Sequence, residues 1–288
     1  MSPDDPVGPA KLAIIACMGE MPRDIIRACR ASGRPFYVAA IRGACEPATV
    51  EGVPHDWFDL VEVGRLLNAM RRQGCEEVTL AGPMARPEFR SLVPRDLKGA
   101  ALLRRLLGAR GQGDDALLRT VLDYFQEQGF RPVGTDAVAG GLLAAEGALG
   151  RHRPDAAAER DIALGIRAVG AIGALDIGQA AVVRGGRVLA LEAAEGTDAM
   201  LERCAVLAVD GPAGDRNDRL EGVLVKMPKP GQEARADLPA IGPRTVAGAA
   251  RARLAGIAIA AGATLVFDRD RTRADADAGG LFVHGFRL

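Results

Sequence analysis

The sequence predicts an α/β protein of roughly two domains. Short apolar runs alternate with helical periodicities through the first half of the chain. Aromatic residues make up only 4%, while Gly 36 and Pro 17 supply many turns. The length, 288 residues, is about twice that of one ordinary domain.

KLAIIAC, residues 11–17, is a first strand ending in the turn Met18-Gly19-Glu20. MPRDIIRACRASG then puts Ile25, Ile26, Ala28 and Cys29 on one helical side and stops at Gly33. PFYVAAI reads as the second strand. WFDLVEVG, residues 57–64, leads into a helix in which Leu66, Leu67 and Met70 alternate with Arg65, Arg71 and Arg72. Gly74 ends that helix, and EEVTLAG is another strand. The repeated strand–helix order predicts a parallel sheet covered by helices. AGPMARPEF, residues 81–89, follows the carboxyl end of a strand, the edge where open α/β sheets place ligands. Two helices come next, broken at Gly111 and Gly113, the second opening on Asp114 and Asp115. The polar segment Gly150 to Ala158, with Pro154, is the expected linker between domains 1–150 and 151–288.

In the second half, residues 158–178 read as a long helix, and AAVVRGGRVLALEA reads as a hairpin around Gly185-Gly186. TDAMLERCAVL is a helix with Thr197 or Asp198 as its cap. VLVKM is a strand that runs into PKPGQEARADLPAIGP. Pro228, Pro230, Pro239 and Pro243 exclude a regular helix or a central strand there. RTVAGAARARLAG is the next helix, and Gly256 and Gly262 read as turns in the uncharged stretch 254–267. The end of the chain gives a strand, a turn or short helix of alternating charge from Asp268 to Asp277, and a final strand.

Lys+Arg 37 against Asp+Glu 37 leaves a formal net charge of 0, which argues against a general nucleic-acid binder. Any anionic ligand has to be held by a local cluster. Cys17, Cys29, Cys45, Cys75 and Cys204 are odd in number and form no CxxC, so they read as buried small hydrophobes in a reducing compartment. His55, His152 and His284 have no metal-ligand spacing. The stretch 254–267 is too short to cross a bilayer, and the acidic N-terminus does not resemble a secretory signal. A soluble cytoplasmic protein is expected, with contact at a membrane surface left open. The sequence has no GxGxxG, no Walker motif and no GxSxG elbow.

Four segments can carry chemistry. In VKMPKPGQEARADLPAIG, residues 225–242, Lys226, Lys229 and Arg235 can meet a phosphate, Gln232 can hydrogen-bond, and Asp237 can hold a divalent ion or orient water. The bland alternative is a proline-rich loop with solvated charges. Residues 191–198 place Glu192, Glu195 and Asp198 around Gly196 at a strand-to-helix junction. They serve either a metal and an anion or merely a helix cap with exposed glutamates. Gly113-Asp114-Asp115 is explained by a cap. Gly82 to Arg86 sits at the expected ligand edge, although a loop arginine is commonly solvated. The charged run Asp268 to Asp277 reads as self-neutralised surface.

Taken in order, VGRLLNAMRRQGCEEVTLAGPMARPEF, GDDALLRTVLDYFQEQGF, DIALGIRAVGAIGALDIGQAAVV, EAAEGTDAML, VLVKMPKPGQEARADLPAIGP and GGLFVHGF resemble the LpxI family of UDP-2,3-diacylglucosamine pyrophosphatases. EGTDAM followed by KMPKPGQ and DLPAIG carries the most specific part. The resemblance implies a Rossmann-like N-terminal domain and a distinct mixed α/β C-terminal domain. It also implies a site spanning both, a homodimer, and hydrolysis dependent on Mg²⁺ or Mn²⁺. The implied products are UMP and 2,3-diacylglucosamine 1-phosphate, with water attacking the α-phosphorus. Asp237 matches the family's catalytic aspartate; Glu195 and Asp198 join it as implied metal ligands. The resemblance also raises Lys226, Lys229, Gln232 and Thr197 as site residues, read here as substrate contacts, and Arg86 joins them from its place at the expected ligand edge. The substrate is a UDP-linked diacylated glucosamine lipid, so transient contact with the cytoplasmic face of the inner membrane is also implied. The first loop departs from its relatives: CMGEMP is poorer in glycine, and Cys17 and Met18 restrict a close ligand approach. The Gly/Ala/Ile-rich stretch Ala163 to Ala181 is either a close-packed core helix or the lining of an acyl groove. The alternative to an enzyme is a noncatalytic protein that binds a UDP-sugar or lipid.

Overall fold

The computed structural model describes residues 9–84, 88, 92–109, 114–209, 220–230 and 238–288. The chain forms two compact units that divide between Gly141 and Leu142.

The first unit runs β1 (Leu12–Ala16), α1 (Met21–Ser32), β2 (Phe36–Ile41), β3 (His55–Phe58), α2 (Val63–Arg72), β4 (Glu77–Ala81), α3 (Leu97–Ala109), α4 (Asp114–Glu127), β5 (Arg131–Pro132) and α5 (Thr135–Val138). Its strands make one parallel sheet in the order β3-β2-β1-β4-β5. The chain winds outward from β1 to β3 and then returns to the far side of β1, so the winding reverses between β1 and β4. This is the Rossmann-like arrangement, and the reversal opens a crevice at the carboxyl ends of those two strands.

Strand β1 is buried along its whole length because helices cover both faces. Ala13 and Ile15 join Leu66, Leu67 and Met70 of α2 and Tyr124 and Phe125 of α4. Leu12, Ile14 and Ala16 join Ile25, Ile26 and Cys29 of α1. Each large aliphatic side chain so buried contributes about 1.5–3 kcal/mol. At the amino edge of the sheet, Glu77 is buried and pairs with Arg34 and Arg131.

The second unit runs β6 (Gly147–Ala148), α6 (Ala156–Gly173), β7 (Ala180–Arg184), β8 (Arg187–Leu191), α7 (Gly196–Val209), β9 (Val223–Lys226), β10 (Ala240–Ile241), α8 (Pro243–Arg251), β11 (Gly256–Ala260), β12 (Leu265–Val266), α9 (Arg269–Ala278) and β13 (Phe282–Phe286). Six strands form a mixed sheet ordered β6-β13-β11-β9-β7-β8, and β10 pairs with β12 beside it. β9, β11 and β13 are parallel; β7 runs against β8 and β9, and β6 against β13. Leu224, Ile257, Ile259 and Val283 face Met200, Leu201, Val246 and Ala249 of α7 and α8. Val223, Val225, Ala258 and Phe282 face Ile162 and Val169 of α6.

The stretch Ala163 to Ala181 is therefore core packing rather than open groove where α6 crosses the sheet. A Cβ at Gly165 would lie 2.4 Å from Val225 Cγ2, so only glycine allows the helix this close. Asp161, buried on the same helix, accepts both Gly185 N–H (3.0 Å) and Gly186 N–H (2.7 Å) and so fixes the hairpin turn between β7 and β8.

One sequence expectation changes. Gly256 is not a turn: it lies inside β11, where the Phe282 ring occupies the place of a side chain. The charged run takes the helical of its two expected forms, α9 with Asp268 at its N-cap, and its charges pair through Arg273–Asp270 and Arg271–Asp275. The segment before α6 is anchored, since Arg151 N–H donates to Asp277 Oδ1 at 2.7 Å and Asp155 caps the helix through Ala157 and Ala158 N–H. All five cysteines are buried and none is in a disulfide. Burial pushes the Cys17 and Cys75 thiols up to about 11, which disfavours a thiolate nucleophile.

Candidate functional site

In the first unit, the crevice is built by two turns. Cys17 N–H donates to Ala81 O (2.8 Å) and Met18 N–H to Pro83 O (3.2 Å), so the turn after β1 is laced to the turn after β4. Gly82 has φ +89°, and a Cβ there would fall 2.1 Å from Met18 O. Glycine is required by both the conformation and the contact. Met18 and Met84 are exposed at this edge. Arg86 lies outside the described residues.

In the second unit, the chemistry-bearing side chains converge at the carboxyl end of β9. Strand alternation puts Lys226 on the same face as Leu224, toward α7. Lys226 is buried, and its Nζ donates to Thr197 Oγ1 at 2.8 Å. Thr197 Oγ1 donates in turn to Glu192 Oε1 at 2.5 Å. Glu192 is buried, and its Oε2 accepts Gln179 N–H at 3.0 Å. Lys229 Nζ pairs with Asp176 Oδ1 at 2.6 Å. Asp176 takes φ 55°, a left-handed conformation that aspartate tolerates better than most residues.

Helix α7 begins at Gly196, so Thr197 and Asp198 stand in its first turn rather than at the cap position. The Thr197 hydroxyl is spent on Glu192. The amino end of a 14-residue helix carries partial positive charge. Together with Lys226, it makes this corner favourable for an anion such as a phosphate.

The acids of the junction are separated. Glu192 points inward, Glu195 pairs with Arg203 at 2.7 Å, and Asp198 pairs with Arg244 at 2.5 Å. A hydrogen bond from its own backbone N–H, and then Arg203, hold Glu195 below the usual carboxylate range. Among the described residues, no three metal-capable side chains converge. Gln232 and Asp237 lie outside the described residues. The structure thus brings Lys226 and Thr197 together and ties Lys229 to the turn after α6.

Asp176 and Gln179 complete the arrangement and were not among the expected site residues; Glu192 was expected only as a metal-capable or exposed acid, whereas here it is buried and bonded to Thr197 and Gln179. For Glu192 a signal was present. Its parity along β8 matches Ala190, which is buried, and not Leu191, which is exposed.

A family model described as the LpxI N-terminal domain matches residues 11–142, and one described as the LpxI C-terminal domain matches residues 145–284. The chain is 45% identical over 277 residues to "UDP-2,3-diacylglucosamine pyrophosphatase LpxI" of Caulobacter vibrioides, covering 96% of this chain and 97% of that protein. Among solved structures, a GalE-like L-threonine dehydrogenase from Cupriavidus necator matches 96% of both chains at 12% identity and TM-score 0.30. The biotin carboxylase domain of a Hydrogenobacter thermophilus 2-oxoglutarate carboxylase matches 70% of this chain and 41% of its own at 14% identity and TM-score 0.24. Neither is close enough to carry an argument.

Proposed function

The chain belongs to the LpxI family, and we propose that it hydrolyses the pyrophosphate bond of UDP-2,3-diacylglucosamine. The products are UMP and 2,3-diacylglucosamine 1-phosphate. The observation that carries this reading is the 45% identity to a protein of that name, spread over 97% of its length.

The described site supports the reading in physical terms. A pyrophosphate repels an incoming nucleophile through its own anionic oxygens. Lys226 and the amino end of α7 place positive charge at one corner, and Lys229 adds a second ammonium on the loop that follows β9. Such charge stabilises the extra negative charge of the transition state. In the proposed step, a water oxygen bonds to the α-phosphorus while the bond from that phosphorus to the bridging oxygen breaks. The leaving group is the sugar 1-phosphate, and the water's proton passes to a base. Asp237 is the proposed base or water-orienting group, with Gln232 and Arg86 as further substrate contacts.

The reading includes a divalent ion, Mg²⁺ or Mn²⁺, with Asp237, Glu195 and Asp198 as its proposed ligands. The described members of that set do not fit it as they stand, since Glu195 faces Arg203 and Asp198 faces Arg244. No step is assigned to the ion. A homodimer and transient contact with the cytoplasmic face of the inner membrane complete the proposal. Among the described residues no helix is long and apolar enough to cross a membrane.

The test is direct. Purified protein with Mg²⁺ or Mn²⁺ should release UMP from UDP-2,3-diacylglucosamine, and EDTA should stop it. In ¹⁸O-water the label should enter UMP. Release of UDP overturns the bond assignment, label in the sugar phosphate overturns the site of attack, and binding without turnover leaves a noncatalytic carrier.

A further inference from the structure

We propose that Glu192 is a positioning residue: through the Thr197 hydroxyl it fixes the Lys226 ammonium for a phosphate group. The proposal rests on the pyrophosphatase reading above for what Lys226 holds, and on the described contacts for how it is held.

The hydrogen bonds of this chain run in one direction. An ammonium can only donate, so Thr197 Oγ1, 2.8 Å from Lys226 Nζ, must accept. The single hydroxyl proton is then left for Glu192 Oε1 at 2.5 Å. The other carboxylate oxygen is committed to Gln179 N–H at 3.0 Å. Both oxygens therefore act as acceptors, as an ionised carboxylate does.

Gln179 also ties in the other end. Its carbonyl accepts the N–H of Met227, the residue after Lys226, at 3.1 Å. One residue thus anchors both the carboxylate and the backbone that carries the lysine. The approach is close: a Cβ at Gly178 would lie 2.1 Å from Glu192 O. Glu192 and Lys226 are 6% and 7% exposed, and burial of a carboxylate and an ammonium is unfavourable unless both are bonded. The arrangement costs stability and yields a lysine of fixed direction.

Glu192→Gln keeps the shape but replaces one acceptor with an NH₂ donor. Facing Gln179, that donor meets another N–H. Facing Thr197, it competes with Lys226 for the hydroxyl oxygen. Either way the seat of the ammonium is disturbed. A misplacement of about 1 Å in a reacting site can cost about 10²-fold, so kcat/KM for UMP release is expected to fall by about that factor. Calorimetric affinity for UMP, whose phosphate probes the same corner, should weaken as well.

Thr197→Val, which removes only the hydroxyl, should give a similar loss, and Thr197→Ser should stay near the parent. The double variant Glu192→Gln/Thr197→Val should be no worse than either single change, because both break one chain of contacts. A merely structural role predicts a lower melting temperature with kcat/KM per folded molecule retained in each single variant. If Glu192→Gln does not fold, the same cycle is run with Glu192→Asp, which keeps the charge but withdraws it by one methylene. Parental kcat/KM in Glu192→Gln or Thr197→Val, or multiplicative losses in the cycle, overturns the proposal. A parent that binds UMP but releases none from the substrate overturns the pyrophosphatase reading instead. The UMP affinities of the same variants then decide the role of Glu192, with unchanged affinities counting against it.

Discussion

Two buried charge clusters sit at opposite kinds of sheet edge. At the amino edge of the first unit's sheet, Glu77 meets Arg34 and Arg131 directly. At the carboxyl edge of β9 in the second unit, Glu192 reaches Lys226 through Thr197. A carboxylate in contact with guanidinium groups satisfies donor and acceptor together and pins strand ends and loops. A hydroxyl placed between acid and lysine orients the ammonium while adding no charge of its own. The first arrangement suits stability. The second suits a cation that has to meet a ligand from a defined direction.

The largest expected effect lies on the chemical side of that contrast. Asp237→Asn should lower kcat by about 10²–10⁴-fold, the usual range for loss of a general base, while product affinity and the thermal melt stay close to the parent. A metal titration on the same variant separates the two proposed roles. An unchanged midpoint supports water orientation, and a raised one supports ligation. Parental kcat at saturating metal would reject the assignment.

On the stability side, Glu77→Ala should leave the mostly buried Arg34 without its partner. Breaking a buried pair by removing one member typically costs about 3–5 kcal/mol. Chemical denaturation should show that loss, and kcat of the protein that remains folded should be unchanged. A stability loss below about 1 kcal/mol, the range of exposed pairs, would place Glu77 with ordinary surface charge and erase the contrast.

Much of this architecture was readable in the sequence. Alternating strand and helix patterns gave the parallel sheet of the first unit, and Gly185-Gly186 marked the hairpin of the second. Strand β11, GIAIA, was hidden because it opens on a glycine within a long uncharged stretch. Gly256 looked like punctuation, but its reason is the Phe282 ring packed against it. The site was legible in composition and not in direction. Lys226, Lys229 and Thr197 stood out as residue types. Strand parity hinted that Glu192 turns inward, but no local signal showed what it meets there or that Glu195, three residues on, turns to Arg203. Which acid is buried depends on strand parity and on a backbone N–H from Gln179, thirteen residues earlier in the chain. Asp176 was missed for the same reason, since its partner Lys229 is brought to it only by the fold.

The smallest expected effect sharpens the same comparison from within the second unit. Asp277 lies in the last turn of α9 and accepts Arg151 N–H at 2.7 Å, with the Arg151 guanidinium at 3.4 Å. A Cβ at Gly150 would lie 2.4 Å from its Oδ1, so the strap before α6 is held tightly against it. The backbone N–H of Arg151, and after it the Arg151 side chain, hold the Asp277 carboxyl below its usual range. A carboxyl lowered in the folded state binds its proton more weakly than in the unfolded chain. Its contribution is therefore fully present above the ordinary aspartate value of about 3.9 and is lost as pH falls through the lower, folded value. Asp277→Asn keeps an acceptor for the N–H and removes the charge. Its melt should lie slightly below the parent's near neutral pH, and the gap should close in acid, where the parent's carboxyl is protonated as well. Added salt should narrow the gap at neutral pH, because the arginine partner is exposed. UMP release should be unaffected throughout. A gap that persists unchanged into acid would assign the effect to shape rather than charge, and a fall in kcat would mean that the anchored strap, and not only the carboxyl edge of β9, shapes the site.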